Sequence, residues 1–172
     1  KKIQYGSSDI NNEICDMSKL VNLEELYFSG ASAVTNIENL TYTAINGLNG
    51  LFSGCFNLKR ISGIIKTAHH NADSIFYRCH LLSDINDLTF EFKTEDNKPC
   101  ITTANSAFHR CARATSAMVK KFLDACGSSL TSINNFINMW GVDVNTTRNE
   151  AVIGTAADRP LRDIPHDLFA NT

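Results

Sequence analysis

Apolar residues recur along this chain in the spacing Phe-x-x-Cys-x-x-Leu-x-x-Ile. The pattern occupies Phe52–Ile61 and Phe76–Ile85, which begin 24 residues apart, and Phe-x-x-Cys occurs a third time at Phe108–Cys111. A short unit with one apolar face can bury that face only by stacking on neighbouring units. The spacing therefore predicts a solenoid, in which each unit adds one layer to a continuous core.

Weaker copies of the pattern extend the predicted array in both directions. They share the apolar spacing and are Met17–Leu26, with Met17 in the Phe place, Leu130–Ile133, Leu161–Ile164, and a further start at Leu168–Phe169. The predicted organisation is an N-terminal flank over residues 1–16 and a repeat array over residues 17–172. Because the last unit is incomplete, we expect the array to continue beyond both ends of this sequence.

Each unit is predicted to contain one short strand and one turn of helix. The Leu-x-x-Ile half predicts a strand, and the i, i+3 spacing of Phe-x-x-Cys predicts a helical or 3₁₀ turn that points both side chains inward. A period of about 24 residues falls within the range of about 20 to 29 that is typical of leucine-rich repeats. The predicted fold class is an α/β leucine-rich-repeat solenoid, with parallel strands on one face and short helices or 3₁₀ turns on the other.

The third unit departs from this pattern, because Ala114 and Ala117 stand where Leu and Ile are expected. Residues 106–126 contain neither Gly nor Pro, and their apolar residues recur at steps of three and four. This stretch predicts an amphipathic helix of about five to six turns that ends at Gly127. Leu130 lies 48 residues after Leu82, twice the period, so we expect one expanded unit here.

The repeated units resemble those of BspA-type leucine-rich-repeat proteins, which occur on bacterial cell surfaces and as structural proteins of some gut phages. The resemblance spans residues 17–169 and includes Leu161–Phe169, with its single Ile-Pro pair. The chain differs from the family pattern in its uneven spacing and in an interruption at Phe92–Pro99. The resemblance implies an extracellular or virion-surface binding module without catalytic activity.

Composition and charge exclude several other classes of protein. The chain has 172 residues, of which 43% are hydrophobic, so it can bury a sizeable core and is not expected to be disordered. Its formal charge of -2 lacks the basic excess that nucleic-acid binding needs. The apolar runs are too short for a membrane span. We therefore expect a folded domain without nucleic acid and without membrane insertion.

The six cysteines fall into two groups with different expectations. Cys55, Cys79 and Cys111 share one repeat position, so they are expected to be small buried side chains. The others lie outside that position, so a disulfide among them stays open; they are Cys15, Cys100 and Cys126. The Cys and His spacings do not match a zinc site. A thiol hydrolase would require a cysteine close to a histidine, for example Cys111 or Cys126 with His109 or His80.

The polar residues within and after each Leu-x-x-Ile half are the candidate binding residues. In a parallel ladder they form columns whose members lie about 4.8 Å apart and can pair by charge. The predicted partner-binding residues are Glu24, Glu25, Tyr27, Lys59, Arg60, Ser62, Asp84, Asn86, Arg162 and Asp163. A solvated face with weak ion pairs is the alternative. On the opposite face, Arg78 with Arg110 and Tyr77 with His109 form shorter columns of residue types that are common in interfaces.

These observations predict a non-catalytic recognition or adhesion module that binds a protein or glycan through its repeat face. The chain is not expected to be an enzyme, and no metal or other cofactor is predicted. The expected location is extracellular, on a bacterial cell surface. The alternatives are a structural or receptor-binding segment of a phage particle, or a rigid spacer without a ligand of its own.

Overall fold

The chain winds into a parallel β-solenoid of about three turns. The structure, a computed structural model, describes residues 2–4, 14–20 and 25–137. In the coils that contain a strand, one side is a strand of a parallel sheet, here called the sheet side. The other side of each coil is a run of tight turns, here called the turn side. The predicted solenoid of parallel strands is confirmed.

The strands form two parallel sheets. The strands in the described residues are β1 (Lys2–Gln4), β2 (Ile14–Asp16), β3 (Glu25–Tyr27), β4 (Asn36–Ala44), β5 (Arg60–Thr67) and β6 (Leu88–Phe92). The sheet side has the order β2-β4-β5-β6, and β1 pairs with β3 in a second sheet. Two strands from the predicted flank, residues 1–16, thus belong to these sheets.

A β-bulge fixes the register between β4 and β5. Ile37 aligns with Ile61 but Leu40 aligns with Gly63, so β4 carries one extra residue, and Asn39 at the bulge has a φ of 57°. Gly63 has a φ of 123°, and a Cβ at this position would overlap the Leu40 carbonyl oxygen and lie 2.7 Å from its carbonyl carbon. Only glycine fits this close backbone approach.

The turn side is held together by hydrogen bonds between coils. The Phe52 N–H donates to Ile75 O at 2.9 Å, and the Phe76 N–H donates to Ala107 O at 3.0 Å. The N–H groups two residues before and two residues after Phe52 and Phe76 donate to the next coil in the same way. The residues at these positions in the three coils have positive φ: Gly50, Gly54, Ser74, Arg78, Ser106 and Arg110. Every second peptide group therefore points along the solenoid axis. The predicted helical or 3₁₀ turn at Phe-x-x-Cys does form an i, i+3 hydrogen bond, from the Cys55 N–H to Phe52 O at 3.2 Å, and its Phe and Cys side chains point inward. Its backbone is not helical, however, because the residue before each Cys has a positive φ, as in a β-turn.

Stacked aromatic rings form the centre of the core. The ring centroids of Phe28 and Phe52 lie 5.7 Å apart, those of Phe52 and Phe76 5.6 Å, and those of Phe76 and Phe108 5.1 Å. All four side chains are fully buried. Offset stacking of this kind adds about 0.5–1.5 kcal/mol per pair to the free energy gained by burial. The Phe position of the repeat therefore forms one column through successive coils.

A cysteine column lies beside the aromatic column. The Sγ of Cys55 donates to Phe28 O and that of Cys79 donates to Phe52 O, both at 3.0 Å, and Cys111 repeats this bond to Phe76 O at 2.9 Å. A small side chain with a weak donor fits each place. The predicted burial of these three cysteines is confirmed. The structure forms no disulfide among the six cysteines, all of which lie within the described residues, so the bridge left open for Cys15, Cys100 and Cys126 is not formed.

A helix replaces the strand in the last described coil on the sheet side. Helix α1 (Ser116–Cys126) begins after Thr115, whose side chain accepts a hydrogen bond from the Met118 N–H, and a 3₁₀ turn (Gly127–Ser129) follows. The helix packs against β6 and covers the edge strand. An amphipathic helix is confirmed, but the predicted start at Ser106 is wrong, because residues 105–110 continue the turn side.

Three other predictions are corrected by the observed register. The repeat preceding Phe52–Ile61 is Phe28–Ile37, with Ala31 and Val34 in the Cys and Leu places, so the copy predicted to start at Met17 is out of register. Leu130–Ile133 does not stack on Leu82–Ile85, because Ser132 pairs with Thr103. Strand β5 begins at Arg60, inside the predicted strand Leu58–Ile61, and extends beyond it to Thr67. Strand β6 lies C-terminal to the predicted strand Leu82–Ile85, which contributes only a bridge at Asp84.

Candidate functional site

Five of the predicted binding residues come together at the start of the sheet side. We call Lys59, Arg60, Ser62, Asp84 and Asn86, together with Asp87, the strand-face cluster. Arg60 and Ser62 lie in β5, and Asp84 forms a parallel bridge with Arg60 on the next coil. Lys59, Asn86 and Asp87 are exposed, and the others are partly exposed. The prediction that polar residues align here across coils is confirmed for Arg60 and Asp84.

Arg60 lies between two carboxylates of the neighbouring coil. Its Nε is 3.3 Å from Asp84 Oδ2, within ion-pair distance but not in hydrogen-bond geometry, and its Nη2 contacts Asp87 Oδ2. The other Asp84 carboxylate oxygen accepts a hydrogen bond from the Asn86 N–H at 2.9 Å. The Asp87 side chain is 64% exposed. The cluster thus presents acidic and basic groups side by side to solvent.

A row of hydrogen bonds continues the polar surface toward the N-terminal coils. Asn39 donates through Nδ2 to Asp16 Oδ1 at 3.0 Å, and its own N–H donates to Ser62 Oγ at 3.2 Å. The bond from Asn39, together with those from Ser18, holds the pKa of Asp16 below its usual value. This row connects β2 through the bulge to β5.

Glu25 and Tyr27 occupy a different place from the strand-face cluster. They lie in β3, and the residue aligned with Arg60 on the preceding coil is Asn36, so the predicted column of Glu25 with Arg60 is wrong. The two side chains line a pocket of about 240 Å³ together with Tyr42 and residues 46–49. Burial raises the pKa of the Tyr42 hydroxyl. The other three predicted residues lie outside the described residues: Glu24, Arg162 and Asp163.

The buried thiols have the properties of core side chains. Burial raises the pKa of the Cys55 and Cys111 thiols to about 12, and it raises the pKa of Cys79 and Cys126 as well. A nucleophilic thiol needs a lowered pKa, so these four do not have the environment that a thiol hydrolase requires. Within the described ranges, no group of three or more His, Cys, Asp or Glu side chains is placed to hold a metal ion.

Sequence reasoning missed Asn36, Asn39, Asp16 and Asp87 at this surface. Asp87 follows Ile85 by two residues, as Gly63 follows Ile61, so extending the column past Ile would have found it. Asn36 and Asn39 required the correct register of Phe28–Ile37, which lacks Cys and Leu at the expected places. The bulge at Asn39 then shifts the alignment of β4 with β5 by one residue. The spacing of apolar residues does not predict this bulge.

The chain matches no protein-family model, no curated protein and no solved structure. The structure alone therefore shows the parallel solenoid, and the BspA-type family stays a prediction from the repeated residues. None of the helices in the described part of the chain has the length and apolar character that a membrane-spanning segment needs.

Proposed function

We propose that this chain is a leucine-rich-repeat array of the BspA type that acts as a non-catalytic recognition module on a bacterial cell surface. The apolar positions of Phe-x-x-Cys-x-x-Leu-x-x-Ile form stacked buried columns, as a repeat array requires. The polar positions between them reach the surface on neighbouring coils. These two features together support a module that displays side chains on a regular scaffold.

The strand-face cluster is the observation that carries the proposal. Surface ion pairs typically contribute only about 0–1 kcal/mol to stability, so the group around Arg60 adds little to the fold. Its backbone is nevertheless held by the ladder between β4 and β5 and by the bond from Ser83 N–H to Lys59 O at 3.0 Å. Charged groups on a pre-ordered backbone bind a partner with a smaller loss of conformational entropy.

The chemistry of the cluster fits a polar partner. Arg60 can donate to a carboxylate or a carbonyl, while Asp84 and Asp87 accept from hydroxyl or amide groups. A protein loop and a glycan both carry such groups. The exposed Lys59 and Asn86 lie at the margin of the cluster and extend the surface available to either ligand.

A rigid spacer is the second candidate, and the stacked rings favour it. The column from Phe28 to Phe108 and the hydrogen bonds of the turn side continue from coil to coil without a break. Such a continuous core makes a stiff rod whatever the surface binds. A spacer would tolerate substitution of the whole strand-face cluster without loss of function.

Affinity capture with matched variants tests the proposal. The full chain is immobilised beside the triple variant Arg60→Gln, Asp84→Asn and Asp87→Asn, and beside a control, Lys66→Gln with Glu91→Gln, which removes another surface ion pair of 2.7 Å. Extracts of host-cell surfaces and of bacterial envelopes are applied to each. A component held by the native chain and the control, but lost by the triple variant, supports recognition through this cluster.

Two other outcomes would contradict the proposal. Equal retention by all three chains would remove the strand-face cluster as the binding surface. Retention by none of them would favour the rigid spacer, or a structural segment of a phage particle. Circular dichroism of each variant establishes that the fold is unchanged.

A further inference from the structure

The turn side carries a patch of aromatic and basic side chains on three successive coils. This turn-side patch consists of Phe56, Tyr77, Arg78, His80, His109 and Arg110. The rings of Tyr77 and His109 stack at 5.1 Å with an interplanar angle of 20°, and the Arg78 guanidinium lies 5.0 Å from the Tyr77 ring centroid. Phe56 is 40% exposed and its ring lies 5.3 Å from that of His80.

The two arginines occupy backbone positions that favour glycine. Arg78 and Arg110 have a φ of 60° and stand in the same column as Gly30 and Gly54, whose φ values are 77° and 75°. Side chains other than glycine rarely adopt this conformation. Unfavourable backbone conformations concentrate at functional sites, so arginine at both places points to a role for the side chains themselves.

The patch is positively charged, and its two arginines have no carboxylate partner among the described residues. The three turn segments that form it, residues 52–59, 74–83 and 105–115, contain no Asp or Glu. The side chains of Arg78 and Arg110 form no hydrogen bond or ion pair with any of the residues that the structure describes. Arg110 is exposed and Arg78 is partly exposed, with its Nε buried, so an anionic ligand would meet both side chains at the surface.

We propose that the turn-side patch binds an acidic polysaccharide through the guanidinium groups of Arg78 and Arg110. This inference rests on the proposed recognition function and names a ligand class, on a different face from the strand-face cluster. Carboxylate and sulfate groups match the planar fork of a guanidinium. A polysaccharide with an acidic group on many of its sugars carries several such groups on one chain, so two of them can contact the two arginines together.

Two competing ligands fit the patch less well. A single-stranded nucleic acid would stack its bases on free aromatic faces, whereas the Tyr77 ring already packs against His109 and Arg78. Acidic side chains on one face of an extended peptide are about 6.6 Å apart, whereas the arginines lie on adjacent hydrogen-bonded coils, which are spaced at about 4.8 Å. The Arg78 N–H donates to His109 O at 2.8 Å, which places the two coils side by side.

Binding of labelled heparin and polygalacturonate to the full chain tests this inference. The double variant Arg78→Gly and Arg110→Gly removes both guanidinium groups and places the residue that the backbone prefers, so its unfolding temperature should not fall. We expect the native chain to bind at least one of the two polymers, with affinity that falls as salt is added. The double variant should bind at least tenfold more weakly.

Control polymers and a control variant separate this inference from the proposed function. The native chain should bind neutral dextran and polyglutamate more weakly than the acidic polysaccharides. The strand-face triple variant should bind the acidic polysaccharides as tightly as the native chain does. Three results would overturn the inference. The native chain binds neither heparin nor polygalacturonate, the double glycine variant binds them as tightly as the native chain does, or the native chain prefers polyglutamate. An acidic polysaccharide in the extracts of the capture experiment would be held equally by the strand-face triple variant, so that experiment is judged on the components that the triple variant loses.

Discussion

The turn side and the sheet side of this solenoid respond differently to changes in the repeat. On the turn side, the hydrogen bonds between coils, the Phe column and the positions of positive φ keep one register from Phe28 to Phe108. On the sheet side, the strands vary from three to nine residues, one contains a bulge, and a helix replaces the last one. The repeat is maintained where the chain turns.

The difference follows from how each side satisfies its backbone. Each turn-side coil directs every second peptide group at its neighbours, so an inserted residue would break several bonds at once. The sheet side absorbs insertions at its ends. The 32 residues from Phe76 to Phe108, against 24 in the preceding coils, include the excursion at Lys93–Pro99 while the turn side stays in register. Tight backbone bonding and tolerance of insertion are thus separated within one coil.

The largest expected effect comes from Gly63→Val, which attacks the sheet side at its bulge. The new side chain would overlap the Leu40 backbone, and we expect a loss of about 4 kcal/mol or more in the free energy of unfolding. Gly30→Ala is the turn-side control, because no atom lies within 4 Å of its Cβ and only the φ of 77° opposes it, at about 1 kcal/mol. Equal losses in urea denaturation would contradict the assigned register.

The next effect comes from Phe76→Ala, where the two sides meet. This ring contacts Phe52 and Phe108 in the turn-side column and Phe90 of β6. We expect a loss of about 3–5 kcal/mol, measured by chemical denaturation, because a large buried cavity would form. Phe56→Ala removes an exposed ring and should cost less than about 1 kcal/mol. A small effect of Phe76→Ala would show that the column does not couple the coils.

The buried cysteine column of the turn side should make the free energy of unfolding fall in alkali. The thiols of Cys55 and Cys111 have a pKa of about 12 when folded, against an ordinary value of 9.0, so the unfolded chain releases these protons first as pH rises. The free energy of unfolding should therefore fall between pH 9 and 12 by about 1.4 kcal/mol per pH unit for each thiol. Urea denaturation at several pH values measures this slope.

Two variants identify the source of that slope. Cys111→Ala should flatten it by the contribution of one thiol. Val119→Ala lowers stability at a buried site without a titrating group and should leave the slope unchanged. An unchanged slope in Cys111→Ala would exclude this thiol as a source.

The smallest effect is expected where α1 is attached to the sheet side. Lys121 donates through Nζ to Ile85 O at 3.1 Å and to Asn86 O at 2.6 Å, which holds the helix against the last strand-bearing coil. Lys121→Met should cost about 1 kcal/mol and speed amide exchange in β6. Lys120→Met, which loses only an exposed pair with Asp124, should cost about 0.3–0.5 kcal/mol. Identical exchange in β6 for both variants would contradict an anchoring role.

The spacing of apolar residues along the chain is enough to predict the solenoid, its period and much of its core. Phe52, Cys55, Phe76 and Cys79 are buried as their spacing predicts, because a repeated apolar position in a stacked array has nowhere else to go. The pairing of Arg60 with Asp84 could be predicted in the same way, since residues at the same repeat position lie next to each other on neighbouring coils. Burial and column position are properties of spacing alone.

The register of the coils and the backbone conformation of the turns depend on contacts between coils. The repeat Phe28–Ile37 has Ala31 at the position where the later repeats have Cys, and both residues fit this buried position because their side chains are small. Arg78 takes the conformation of Gly54 because hydrogen bonds from both neighbouring coils impose it. The bulge at Asn39 depends on the pairing of β4 with β5, and the cluster at Arg60 depends on the bridge to Asp84 of the next coil. Contacts between coils set these features, and no local preference of a single segment specifies them.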